Sequence, residues 1–133
     1  MAIQWLDSLS VGVEEIDNQH KGLFDAVNKL YDACSQGKGR QEVGKIVDFL
    51  GEYVITHFEA EEKLQQQNSY PDYGKHKEEH EKFIVDFTAL KNRLEAEGST
   101  LSFVSLVNRT VSDWLIRHIS STDKAFGNFL RKK

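Results

Sequence analysis

The segment HFEAEE, residues 57–62, places one histidine, one phenylalanine and three carboxylates within six positions. It lies in a longer stretch, residues 40–67, whose apolar residues recur at the spacing of an amphipathic α-helix. Four positions on a helix return a side chain to within about 40° of the same face. The residues on one such line are Leu50, Val54, His57 and Glu61. The pattern therefore turns one histidine and one carboxylate toward the core, whereas Glu59 and Glu62 face solvent or the flank of the helix.

Three breaks divide the chain. SQGKGR at 35–40 is rich in glycine, NSYPDY at 68–73 holds the one proline, and EGST at 97–100 combines a glycine stop with hydroxyl caps. Each of the four segments between them carries an apolar stripe at helical spacing. These segments are 17–36, 40–67, 72–97 and 100–119. We predict an all-α fold, an antiparallel up-down-up-down four-helix bundle with an N-terminal arm over 1–16 and a short C-terminal helix near 121–131.

Length and composition restrict the class of protein. A chain of 133 residues is expected to form one domain, 1–133, with a core of its own. The balance of 17 Lys+Arg against 21 Asp+Glu argues against a nucleic acid partner. No apolar run approaches a membrane span, the start lacks a secretory signal pattern, and the single cysteine suits a reducing compartment. We therefore expect a cytoplasmic protein without a membrane partner, and we interpret Glu78, Glu79 and Glu81 as a solvated face.

All five histidines fall on the apolar stripes and at one end of the predicted bundle. They are His20 at the start of the first helix, His57 late in the second, His76 and His80 early in the third, and His118 at the end of the fourth. Burying these imidazoles and Glu61 without partners would be costly, whereas neutral imidazoles and ionised carboxylates are ligands of transition metals. One such histidine is usually an ordinary core residue, but five at the same level predict a metal site.

A further candidate ligand is Asp123, five residues after His118 in the segment HISSTD. In a regular α-helix five positions turn about 500°, which leaves the second side chain about 140° away from the first. Asp123 reaches the site only if the helix widens into a π-type turn or breaks, and Ser120, Ser121 and Thr122 are weak helix-interior residues. Spacing alone leaves the role of Asp123 open.

These spacings together resemble the hemerythrin family, and most closely its single-domain bacterial members. The segments that carry the resemblance are SVGVEEIDNQHKGLF, HFEAEEKL, YPDYGKHKEEH and DWLIRHISSTDK, which extend over nearly the whole chain. One local departure is Gln65, where many members carry methionine. Because Gln65 is not a ligand position, we expect the change to affect only local packing.

The resemblance implies a non-haem di-iron centre that binds dioxygen. One iron would take three histidines and the other two, with two carboxylates and a hydroxide or water as bridges. The three-histidine iron would be held by His76, His80 and His118, the two-histidine iron by His20 and His57, and the bridging carboxylates would be Glu61 and Asp123. The resemblance also implies an apolar dioxygen pocket lined by Leu23, Phe58, Trp114, Leu115 and Ile119. Two octahedral irons offer about twelve positions, of which these ligands fill about eleven, so one position stays free for a diatomic ligand.

Reversible dioxygen binding for storage, delivery or sensing is the leading functional hypothesis, and it implies that the protein is not an enzyme. Five imidazoles and two carboxylates carry less negative charge than the four carboxylates and two histidines of ferritin-like sites, which favours ferrous over high-valent iron. Two alternatives stay open: a di-iron oxidase or peroxidase-like enzyme, and an iron store or metal sensor. The sequence identifies no protein client.

Overall fold

The computed structural model describes residues 3–132, apart from the side chain of Arg40. These residues form an all-helical bundle of antiparallel neighbours, as predicted. Its first three helices are α1 (Glu14–Ser35), α2 (Arg40–Gln67) and α3 (Tyr73–Glu97). Glycine ends α3, because Gly98 adopts φ 79°, a left-handed conformation that other residues rarely take. Thr100 then caps the next helix by accepting a hydrogen bond from the backbone N–H of Phe103 at 3.2 Å.

The fourth helical stretch runs from Leu101 to Arg131 without leaving helical conformation. Its sections are α4 (Leu101–Val107), a first π-helical segment (Asn108–Asp113), α5 (Trp114–His118), a second π-helical segment (Ile119–Asp123) and α6 (Lys124–Arg131). The prediction of a distortion between His118 and Asp123 is confirmed. The α-helical section ends at His118, close to the predicted bound of 119, but the chain continues through the π-helical segment into the short C-terminal helix, and the serine hydroxyls donate to carbonyls four residues earlier instead of capping a new helix.

The first π-helical segment has a long-range partner that local sequence does not reveal. Tyr31 of α1 places its hydroxyl 2.8 Å from Ser112 Oγ and 3.2 Å from Asn108 Oδ1. Burial raises the pKa of this tyrosine above its ordinary value, so the hydroxyl stays neutral and hydrogen-bonded. The contact ties α1 to the distorted turn inside the core.

The N-terminal arm, predicted over 1–16, is described from Ile3 onward, with residues 1 and 2 outside the described part, and from there it packs across the bundle. Ile3 exchanges two backbone hydrogen bonds with the Asn28 side chain at 2.9 and 2.8 Å, and Asp17 accepts from the Val11 N–H at 2.8 Å. The arm also contains a short 3₁₀ turn, Asp7–Leu9, and it gives way to α1 at residue 14 rather than 17. Gly127 of α6 lies directly beneath it, since a Cβ there would stand 2.0 Å from the Val11 carbonyl oxygen. The arm therefore holds α6 close to the bundle.

The half of the core away from the histidines is apolar. Its buried side chains come from all four helical stretches, and among them are Leu30, Val43, Val47, Leu90, Leu94 and Phe103. The polar groups are concentrated at the other end, where the candidate site lies. Among the described residues, no helix is long and apolar enough to cross a membrane.

Candidate metal centre

Seven buried ionisable residues meet at one end of the bundle. They are His20 of α1, His57 and Glu61 of α2, His76 and His80 of α3, His118 of α5 and Asp123 of the second π-helical segment. The helical line drawn from the sequence places Glu61 in the core, where it is 1% exposed, while Glu59 is exposed and Glu62 half-buried. All seven residues singled out as candidate ligands are therefore brought together.

The seven residues form two overlapping groups. One contains three histidines and the other two, and within each group the candidate ligand atoms all lie within 4.8 Å of one another. The first group is Glu61, His76, His80, His118 and Asp123; the second is His20, His57, Glu61 and Asp123. The two carboxylates belong to both groups, so the arrangement has room for two metal ions that share them.

Each shared carboxylate divides its oxygens between the groups. Asp123 directs Oδ1 to His76 Nε2 at 2.8 Å and to His118 Nε2 at 3.0 Å, and directs Oδ2 to His20 Nε2 at 2.9 Å. Glu61 also divides its two oxygens between the groups. Its Oε1 lies 2.7 Å from His76 Nε2, while its Oε2 faces His57 Nε2 at 3.9 Å. One oxygen toward each group is the geometry that a bridging carboxylate requires.

The second π-helical segment is what brings Asp123 into this arrangement. A π-helix has a wider turn than an α-helix, so His118 and Asp123, five positions apart, can face the same side. Asp123 is 1% exposed, next to histidines from three different helices. The distortion therefore supplies the second shared carboxylate.

The donor atoms at the centre of the cluster fit a metal better than they fit one another. Buried side-chain atoms without hydrogen-bond geometry toward any described residue include both Glu61 oxygens, both Asp123 oxygens, His76 Nε2 and both nitrogens of His20. Such a concentration of unsatisfied polar atoms would be costly in a protein interior. Imidazole nitrogens and carboxylate oxygens that lie this close together without hydrogen-bond geometry are the donor set of a transition-metal site.

Comparison with known proteins agrees with this geometry. The model of the hemerythrin HHE cation binding domain matches residues 11–130, a range that includes all seven candidate ligands. The chain belongs to the hemerythrin family. A bacteriohemerythrin of Methylococcus capsulatus is 40% identical over 111 residues, which cover 84% of this chain and 82% of that protein. A hemerythrin-like protein of Naegleria gruberi is 33% identical over 126 residues, 95% of this chain and 92% of that one.

A solved structure extends the likeness to three dimensions. The crystal structure of a wild-type hemerythrin superposes with a TM-score of 0.84 at 36% sequence identity, covering 96% of this chain and 97% of that chain. The likeness extends over the whole bundle and includes the cluster at its end, whose residues could hold a metal ion.

In this hemerythrin-family protein the outer nitrogens of four histidines also have partners, which the sequence interpretation missed. The Nδ1 atoms pair with Gln19 Oε1 at 2.5 Å for His57, Gln65 Nε2 at 2.7 Å for His76, Glu62 Oε2 at 2.9 Å for His80 and Glu79 Oε1 at 3.1 Å for His118. Such partners orient a metal-ligating ring and set which nitrogen carries the proton. The outer environment of the site is therefore built as specifically as its centre.

Two expectations are corrected by these contacts. Glu79 is not part of a purely solvated face, because it accepts from His118 and from the Thr122 hydroxyl, at 3.1 and 3.0 Å. Gln65 does more than fill space in the core, because its buried side chain also contacts the ring of His76. Sequence position could have indicated three of the residues that contact the outer histidine nitrogens. Gln19, Glu62 and Glu79 each adjoin a candidate ligand in sequence, on a helix flank that faces a neighbouring helix.

The aromatic residues expected around a dioxygen pocket lie against the histidine rings. Phe58 stacks on His80 with ring centroids 3.8 Å apart, and its ring centroid lies 5.9 Å from that of His57. Trp114 stacks on His118 at 4.3 Å. The remaining expected pocket residues, Leu23, Leu115 and Ile119, are buried in the core. That these side chains line a dioxygen pocket stays a prediction.

The cluster separates the pKa values of its histidines. Burial lowers the pKa of His57 to about 4, so this imidazole is neutral at pH 7. Burial acts in the same direction on His76, but its close contacts with Asp123 and Glu61 outweigh it and raise the pKa to about 10. Burial would raise the pKa values of Glu61 and Asp123, yet the facing histidines hold both below their ordinary range. Without a metal, two carboxylates therefore face at least one protonated imidazole.

Proposed function

We propose that this protein binds dioxygen reversibly at a non-haem di-iron centre. The observation that carries the proposal is the division of the Glu61 and Asp123 oxygens between two groups of histidines. Two carboxylates oriented in this way can act as bridges in a dinuclear site, whereas a mononuclear site does not require them. Membership of the hemerythrin family supports the same assignment.

On this proposal every donor has a role. His76, His80 and His118 would hold one iron, and His20 and His57 would hold the other. Glu61, Asp123 and a hydroxide or water would bridge the pair. Two ferrous ions held there would supply the electrons and the free coordination position for dioxygen. The protein holds the imidazoles by their outer nitrogens, so that the donor atoms stay in place when the ligand leaves.

The apolar side chains beside the cluster would keep water out. Leu23, Phe58, Leu115 and Ile119 are all buried and contribute no polar group. We propose that they surround the free position together with Trp114, so that water does not displace the bound ligand or promote oxidation of the iron. The protein then acts as a binding protein rather than an enzyme, in the cytoplasm and without a nucleic acid partner.

Two measurements on purified protein matured with iron test this function. Elemental analysis should give about two irons per chain, as the paired donor groups require. The anaerobically reduced protein should gain a new visible absorption on exposure to air and lose it when oxygen is removed, over repeated cycles. One iron or none per chain would overturn the di-iron assignment. Continuous consumption of a reductant without a stable oxygenated spectrum would instead identify an oxidase or peroxidase-like enzyme.

A further inference from the structure

Behind His76, on the side away from the shared carboxylates, lies the carboxamide of Gln65. The side chain is 0% exposed, and its Nε2 stands 2.7 Å from His76 Nδ1. The other end of the carboxamide, Oε1, is also buried and has no hydrogen-bond partner among the described residues. Burying a carboxamide whose oxygen has no hydrogen-bond partner costs free energy, which indicates that Gln65 has a function other than filling space.

His76 occupies a special place in the cluster. It contacts both shared carboxylates, Glu61 at 2.7 Å and Asp123 at 2.8 Å. Each of the other four histidines contacts only one of the two within the described structure. The orientation of the His76 ring therefore affects the geometry of both bridges.

The chemistry of ligation says what His76 needs from its neighbour. An imidazole that gives its Nε2 lone pair to a metal carries its proton on Nδ1, and that N–H requires an acceptor. Glu62 and Glu79 supply carboxylate acceptors for His80 and His118. A half-turn of the Gln65 carboxamide about its last side-chain bond puts the idle Oε1 where Nε2 now stands. That rotation gives the His76 Nδ1 proton an acceptor without moving either chain.

We propose that Gln65 is a positioning residue for His76. Its Oε1 accepts the Nδ1 proton when Nε2 ligates iron, and the bond fixes both the tautomer and the plane of the ring. The proposal rests on the di-iron function above, and it goes beyond it by assigning a task to a residue outside the ligand set. An apolar side chain of equal volume would fill the same space but would leave the Nδ1 proton without an acceptor.

Two substitutions at this position distinguish a packing role of Gln65 from a role as a hydrogen-bond acceptor. Gln65→Met keeps the volume and removes the acceptor, whereas Gln65→Glu keeps an acceptor and adds a buried charge. If Gln65 served packing alone, methionine would be tolerated and glutamate would be harmful. If it serves as an acceptor for His76, the order is reversed. Gln67→Met, on the exposed face of the same helix turn, is the matched control.

The test measures ferrous iron affinity by anaerobic competition with a ferrous chelator, beside the melting temperature of each metal-free protein. We expect Gln65→Met to bind iron about 10- to 100-fold more weakly, while Gln65→Glu and Gln67→Met stay within about threefold of the parent. The melting temperature of the metal-free Gln65→Met protein should not fall, because its volume is preserved. Parent-like affinity of Gln65→Met, or a larger loss in Gln65→Glu, would overturn the proposal. Failure of the parent to bind two irons would instead refute the proposed function.

Discussion

Three glutamates within four positions of α2 provide a sharp test of the centre. Glu59 is exposed, Glu61 is buried between the two histidine groups, and Glu62 accepts from His80 Nδ1 at 2.9 Å. Each can be changed to glutamine, which keeps the shape and removes the charge. We expect the loss of iron affinity to be largest for Glu61→Gln, smaller for Glu62→Gln, and absent for Glu59→Gln.

The structure sets the size of each effect. Glu61 is 1% exposed and, on the proposed assignment, would offer two anionic oxygens to the metal pair, while a glutamine would offer one neutral oxygen and an NH₂ group. Removing one member of a buried charge pair costs about 3–5 kcal/mol, or roughly 100- to 4,000-fold in affinity. Glu62→Gln keeps an oxygen acceptor for His80 and should cost about tenfold. Glu59→Gln changes only an exposed group and should stay within about twofold of the parent.

Ferrous iron affinity by chelator competition, with iron per chain by elemental analysis, measures this order directly. Far-ultraviolet circular dichroism of the metal-free variants shows whether each remains folded, so that loss of metal is not confused with loss of structure. Equal iron content and equal affinity in all three variants would refute the bridging role of Glu61. An effect of Glu59→Gln as large as that of Glu61→Gln would show that net charge, rather than position, governs binding.

Three further expectations follow from the same geometry. Iron loading at pH 7 should release at least one proton per chain, because the pKa of His76 is raised to about 10 in the metal-free protein and a ligating imidazole must be neutral; His118, whose pKa is also raised, adds to this release, whereas His57, with a pKa of about 4, contributes none. Calorimetry in buffers of different ionisation enthalpy measures that number, and affinity should rise with pH up to about 10. Removing iron should lower the melting temperature, since binding free energy adds to folding free energy; equal melting temperatures would contradict a buried, structural centre. Replacing Leu115 or Ile119 with alanine should leave both irons bound and shorten the lifetime of the oxygenated spectrum, and unchanged decay in both variants would remove them from the pocket.

The predictable part of this protein is the part governed by helical periodicity. Apolar stripes locate the helices because burial selects every third or fourth residue. The same rule places Glu61 beside His57, and the alternation of helix direction brings the histidines to one end. These inferences need only the regular geometry of the α-helix and the short connections between helices.

What the sequence does not determine is set by contacts between distant segments. The first π-helical segment is tied to Tyr31 of α1, a contact across 77 and 81 residues. Spacing alone left the role of Asp123 open, because a periodicity of 100° per residue does not show where a helix widens into a π-helical turn. The partners of the outer histidine nitrogens sit on helix flanks, where the rotamer and the neighbouring helix decide whether a charge meets solvent or a ring.

The partners on the helix flanks also make the two histidine groups electrostatically different. Carboxylates stand behind two rings of the three-histidine group, Glu62 behind His80 and Glu79 behind His118. The two-histidine group has a neutral partner instead, the Gln19 carboxamide behind His57. A carboxylate that accepts from Nδ1 increases the basicity of the ligating nitrogen.

On the proposed assignment, the iron with three histidines is therefore also the one with the more electron-rich ligands. His20 and His57 would hold the second iron with weaker donors and would leave the free position on it, which would make it the stronger Lewis acid of the pair. Both asymmetries would favour dioxygen binding on the same side of the centre. The outer glutamates would then reinforce a preference that the number of ligands alone already creates.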